Sequence, residues 1–106
     1  MKLGLVISSN DPETVWNAFR LGVYALKADD TVAAFLLGKG VEAAQLQQTG
    51  FDVPDMMGQF VAAGGQVLAC GTCLKLRQEQ ETGVCSVSTM KDLHDLVRGS
   101  DKVLTF

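Results

Sequence analysis

Proline is scarce in this sequence, with only Pro12 and Pro54 among 106 residues. Cysteine is scarce as well. Three residues, an odd number, are too few for a small disulfide scaffold. Long apolar runs are missing: a membrane-spanning helix needs about 20 such residues, whereas the longest run here, Val32–Leu37, has six. Basic residues are not in excess. Nine Lys and Arg stand against twelve Asp and Glu, which argues against nucleic acid as the main partner. Charged residues make up only 20% and hydrophobic residues 47%, so intrinsic disorder is excluded. The segment Met1–Ile7 imitates the start of a secretion signal, but its apolar stretch is short. Asn10-Asp11-Pro12 also ends it where a cleavage site would need small residues. The expectation is a cytoplasmic protein with free thiols and no membrane partner.

The length suits a single domain over residues 1–106, large enough to bury roughly 65% of the unfolded chain's surface. Mean hydropathy is +0.18, high for a small domain that must cover itself with polar groups. Some apolar surface is therefore expected at a subunit interface, in a homo-oligomer.

Short apolar runs alternate with helical patterns. Leu3–Ile7 reads as a strand buried on both faces. Asp11 can cap a helix with Pro12 in its first turn, and Val15, Phe19, Val23 and Leu26 recur on one helical face. Thr31–Leu37 is a second strand, ending at Gly38-Lys39-Gly40, with a short helix expected from Val41 to about Gln48. Pro54 opens another helix that Gly64-Gly65 stops. Residues 56 and 57 point about 100° apart on a helix, so at least one of Met56 and Met57 is expected to face outward. Gln66–Ala69 is a third strand leading to Cys70, followed by a polar helix to about Glu81. Val84–Val87 is a brief fourth strand. Thr89 to Asp92 matches a capping box, and Met90, Leu93 and Val97 are expected to line one helix face. Lys102–Phe106 is the fifth strand. The alternation predicts a three-layer α/β/α fold with a mostly parallel five-stranded sheet.

In such sheets the ligand crevice lies outside the carboxyl ends of the strands. Of the turns expected there, only Cys70-Gly71-Thr72-Cys73 carries reactive groups. Free backbone amides and a helix start stabilise a thiolate and lower its pKa from about 8.5 toward neutrality. Lys75 and Arg77 follow and add positive charge to support a Cys70 thiolate, and Cys73 lies about one helical turn away. Buried structural thiols are the plain competing reading, and Cys85 fits it. A C-x-x-C at a strand-to-helix turn favours chemistry. A thioredoxin-type site would need a cis-proline opposite the cysteines, and neither proline is placed for that. A zinc site from Cys70, Cys73, Cys85 and His94 has ligand spacing only in its first pair, and His94 fits a helix flank better than a metal or a base. Gly38-Lys39-Gly40 is no nucleotide fingerprint. It suits a tight turn whose amides, with Lys39, can help hold an anion beside Cys70. No cofactor or metal is called for. Three readings remain: single-thiol sulfur chemistry at Cys70, a small thiol–disulfide oxidoreductase using both cysteines, and a binding protein without chemistry.

The segment Leu68–Arg77, the Leu36–Val41 turn and the closing Asp101–Phe106 together resemble the DsrE/DsrF-like family, especially its YchN-like branch, over essentially the whole chain. The resemblance implies a small α/β/α domain assembling into homotrimers or hexamers. It also implies relay of sulfur as a cysteine persulfide, by a carrier or sulfurtransferase, with the sulfur-carrying cysteine at Cys70. The partners it implies are further subunits and other sulfur-relay proteins.

Overall fold

The computed structural model describes residues 1–77 and 86–106. The expected helix tail to Glu81, the start of the fourth strand at Val84, and Cys85 lie outside the described residues. In chain order the elements are β1 (Lys2–Ile7), α1 (Pro12–Lys27), β2 (Thr31–Leu36), a 3₁₀ segment (Gly38–Gln45), β3 (Gln47–Gln48) and β4 (Phe51–Asp52). They continue with α2 (Val53–Ala62), β5 (Gln66–Cys70), α3 (Gly71–Leu76), β6 (Ser86–Ser88), α4 (Met90–Gly99) and β7 (Lys102–Thr105). Among the described residues, five strands form one sheet in the order β6-β5-β2-β1-β7, every neighbouring pair parallel. The three-layer α/β reading is therefore correct.

The expected helix starts are in place for the expected reasons. Asp11 accepts the Thr14 amide at 2.9 Å, and Asp52 accepts the Asp55 amide at 3.1 Å. Pro12 and Pro54 both sit in first turns, where no amide donor is needed. On α4, the Asp92 carboxylate accepts the Thr89 amide at 2.9 Å, the reach-back half of a capping box. The helix expected from Val41 to Gln48 is instead the 3₁₀ segment, followed by a short antiparallel hairpin pairing Gln47 with Asp52 and Gln48 with Phe51.

Successive strand residues point to opposite faces, and the glycines tell the two faces apart. A Cβ on Gly22 of α1 would stand 2.6 Å from the Phe60 ring and 3.3 Å from Leu5. The Leu5 face therefore lies under α1 and α2. A Cβ on Gly4 would stand 2.6 Å from Leu96, so the opposite face lies under α4. Under α1 and α2 the core is sealed: Val15, Phe19, Val53, Met57 and Phe60 are all fully buried. Phe19 and Phe60 meet edge to face at 5.3 Å, a geometry worth about 0.5–1.5 kcal/mol beyond its area. The outward methionine expected on α2 is not there. Met57 is fully buried and Met56 is 9% exposed, because α2 packs at once against α1, β5 and the 3₁₀ segment.

Candidate functional site at the cysteine turn

Parallel strands end together at one edge, and three chain crossings meet there. β1 hands over to the loop containing Asn10, β2 to Gly38 and the 3₁₀ segment, and β5 to Cys70 and α3. Cys70 is the last strand residue and the N-cap of α3. It stands in register with Ser88 of β6 and is only 4% exposed. Cys73, one turn on, is half-buried, and both thiols are free.

The two cysteines stand one helical turn apart, at the N-cap and the third residue of α3. Burial raises the Cys73 thiol pKa, and a side-chain hydrogen bond with Cys70 raises it further. The Gly38 amide opposes this by donating to Cys73 Sγ at 3.2 Å. A backbone donor from the turn after β2 thus serves the cysteine turn after β5, but the sulfur it reaches is that of Cys73. Gly38 takes a φ of +57°, the left-handed region that glycine enters without strain. Gly40 is fixed by space: a Cβ there would stand 1.9 Å from the Ile7 carbonyl oxygen, so only glycine lets this turn lie against the end of β1.

Lys39 is exposed, and its positive charge acts on Glu42. Lys75 is exposed in the last turn of α3. Arg77 is held in place. Its Nε donates to Glu42 Oε2 at 2.7 Å, and its Nη1 donates to the Cys73 carbonyl at 3.2 Å. Its charge favours a Cys73 thiolate. The other Glu42 oxygen, Oε1, accepts from Asn10 Nδ2 at 3.3 Å. The Arg77 hydrogen bond, then that of Asn10, holds the Glu42 carboxyl below its usual range. Sequence reasoning missed Glu42 and Asn10. Glu42 and Arg77 lie 35 residues apart, and no local pattern announces a pair that only the fold brings together.

His94 is exposed on α4. Among the described residues no three His, Cys, Asp or Glu side chains gather as a metal site, and Cys85 of the zinc set lies outside them. No helix among the described residues is long and apolar enough to cross a membrane. A cavity of about 490 Å³ opens between α4 and its sheet face, lined by Lys2, Thr31, Gln66, Leu68 and Leu96 among others. Neither Cys70 nor Cys73 contributes to its wall. Chemically, the turn offers a shielded sulfur one helical turn from a more accessible one, and a fixed amide donor to the latter. That arrangement suits exchange reactions at sulfur.

The fold matches that of the YchN protein from E. coli with a TM-score of 0.84, at 22% identity over 100% of both chains. This supports the YchN-like resemblance at the level of fold. Two archaeal relatives are each 32% identical over 100 residues. They are the uncharacterized protein MJ0989 of Methanocaldococcus jannaschii, matching 89% of this chain and 88% of its own, and the uncharacterized protein MK0008 of Methanopyrus kandleri, matching 89% and 83%. The family model described as DsrE/DsrF-like matches residues 1–106, and the chain belongs to that family.

Proposed function

We propose that this chain acts as a single domain that carries sulfane sulfur as a persulfide on Cys70 and hands it to a partner, assisted by Cys73. Family membership is consistent with sulfur relay. The observation that carries the reading is the pair of free thiols one helical turn apart at the carboxyl edge of the sheet, one buried and the other held by the Gly38 amide. In loading, the Cys70 thiolate attacks a terminal sulfur of a polysulfide. A new S–S bond forms on Cys70, the old one breaks, and the shortened polysulfide leaves with the electron pair. The buried position shields the persulfide from stray thiols. Lys75 and Arg77 supply positive charge on the same short helix, and Gly38, Lys39 and Gly40 form the neighbouring turn. The working unit is a homo-oligomer, a trimer or hexamer, in the cytoplasm. Other sulfur-relay proteins are its natural acceptors.

The test is intact-mass and peptide mapping after incubation with inorganic polysulfide. A gain of about 32 Da, one sulfur atom, is expected on Cys70. It should persist in Cys73→Ser with an altered lifetime and vanish in Cys70→Ser. Loading kept in Cys70→Ser and lost in Cys73→Ser would assign the carrier to the wrong cysteine.

Two free thiols one helical turn apart also favour a second reading, a thiol–disulfide oxidoreductase. A dithiol cycle needs both sulfurs, so Cys73→Ser would then abolish disulfide reductase turnover.

A further inference from the structure

Glu42 joins three segments that are distant in sequence, each at the edge where the cysteines lie. Its two oxygens take one hydrogen bond from Asn10, after β1, and one from Arg77, at the end of α3, while its own backbone belongs to the 3₁₀ segment after β2. Arg77 in turn donates to the Cys73 carbonyl, so the connection runs from Glu42 into the backbone of the cysteine turn. The same 3₁₀ segment begins at Gly38, whose amide holds Cys73 Sγ. Helix α3 is thus tied to the 3₁₀ segment twice, at the sulfur and at the Glu42–Arg77 pair. The pair is only partly exposed, at 31% for Glu42 and 28% for Arg77, so it is less screened than an open surface contact. A six-residue helix has few contacts of its own to fix its orientation.

We propose that Glu42 is a positioning residue for the dithiol: through Arg77 it sets the orientation of α3 that keeps Cys73 Sγ in reach of Cys70. The inference rests on the Cys70–Cys73 site proposed above, though not on relay chemistry. Two thiols held together close a disulfide more readily than two that swing apart, because orientation is settled in advance. The reaction that reads this is exchange with glutathione disulfide. Cys70 and Cys73 lose two electrons and two protons and join by one S–S bond, while the glutathione S–S bond breaks to give two glutathione thiols.

The experiment measures the Cys70–Cys73 disulfide equilibrium in glutathione buffers, by alkylation and mass mapping, in the intact chain and its variants. Glu42→Ala is expected to shift the equilibrium constant toward the dithiol by about tenfold, equivalent to about 30 mV. Arg77→Ala should shift it in the same direction, and adding Glu42→Ala to Arg77→Ala should change little, since Glu42 acts through Arg77. Glu42→Gln keeps the shape and an acceptor oxygen, so it should recover part of the loss; it also serves if the alanine variant does not fold. A merely structural pair would lower the thermal midpoint in Glu42→Ala but leave the equilibrium within twofold, and that result overturns the proposal. So does a wild-type chain that forms no Cys70–Cys73 disulfide at any glutathione ratio. Failure of Cys70 to take up sulfur from polysulfide, with the Glu42 effect intact, would sink the relay reading and leave this one standing.

Discussion

The two faces of the sheet are finished to different degrees. Under α1 and α2, side chains from both helices and three strands interlock, and α2 buries Val53, Met56, Met57 and Phe60. Among the described residues α4 alone covers the other face, and none of its residues is buried. Leu93 and Leu96 lean on the core, while Met90 and Val97 stand 58% and 47% exposed on the outside. The first face is closed by the chain itself. The second is an apolar surface closed only in part, and it is where the proposed assembly would bury more area.

The largest expected effect tests the closed face. Phe60→Ala removes a fully buried ring packed edge to face on Phe19 and should destabilise the fold by about 3–5 kcal/mol in urea unfolding. Total stability of small domains is about 5–15 kcal/mol, so the variant should be near collapse. Val97→Asp, on the outer stripe of α4, should change the stability of an isolated subunit by less than about 0.5 kcal/mol. Comparable losses from the two variants would break the contrast between the faces.

A smaller effect is expected at the open face. If the homo-oligomer closes over α4, Val97→Asp buries an unpaired carboxylate at the interface. It should weaken association by about 2 kcal/mol or more and shift sedimentation toward the 11.3 kDa subunit. Charged substitutions at Met57 or Phe60 are the wrong probe of assembly, because those side chains belong to the core and their replacement unfolds the chain. An assembly that survives both Val97→Asp and Met90→Asp uses another surface.

The contrast also explains what was legible in the sequence. The sealed face and its helices could be read closely, because strand periodicity, Asp caps and first-turn prolines are local signals and they agreed with each other. On α4 the periodicity was real, but it offered two apolar stripes. The stripe that faces the sheet carries Leu93 and Leu96, since Gly4 has no side chain and leaves space for Leu96. Met90 and Val97, two turns apart, form the outer one. Amphipathic patterning cannot choose between stripes without knowing what lies opposite. The polar hairpin at Gln47–Asp52 escaped for a related reason: its two-residue strands are too short for any period, and its turn rests on Gly50 at a φ of +88°. At the site, Cys70 and Cys73 were legible as a motif. The Gly38 turn was legible as an amide donor at the same edge, though the sulfur it reaches is that of Cys73 and not Cys70; Glu42 was not, because it meets Arg77 across 35 residues, a distance set by the parallel strand order.

The smallest effect separates the two faces by pH. Glu42 joins α3 to the sheet edge, and its pKa is lowered first by the Arg77 hydrogen bond and then by Asn10. Asp95 on α4 is lowered mainly by its hydrogen bond to Lys91, one turn away on the same helix. A carboxyl whose folded pKa is depressed contributes stability above its unfolded value, about 4.3 for glutamate and 3.9 for aspartate. It loses that contribution as pH falls through the folded value. Both groups therefore favour the fold at neutral pH and weaken it in acid, but what they connect differs. Glu42 ties separate segments together, whereas Lys91 and Asp95 are 80% and 54% exposed and belong to one helix, where salt screens them readily. In unfolding measured from pH 6 down to pH 3, Glu42→Gln should flatten the acid limb of the stability curve. Asp95→Asn should leave it unchanged within error, most clearly at raised salt. An equal flattening by Asp95→Asn would mean that α4 is held as firmly by its surface charges as the cysteine edge is by its ion pair, and the difference between the two faces would have to be sought in packing alone.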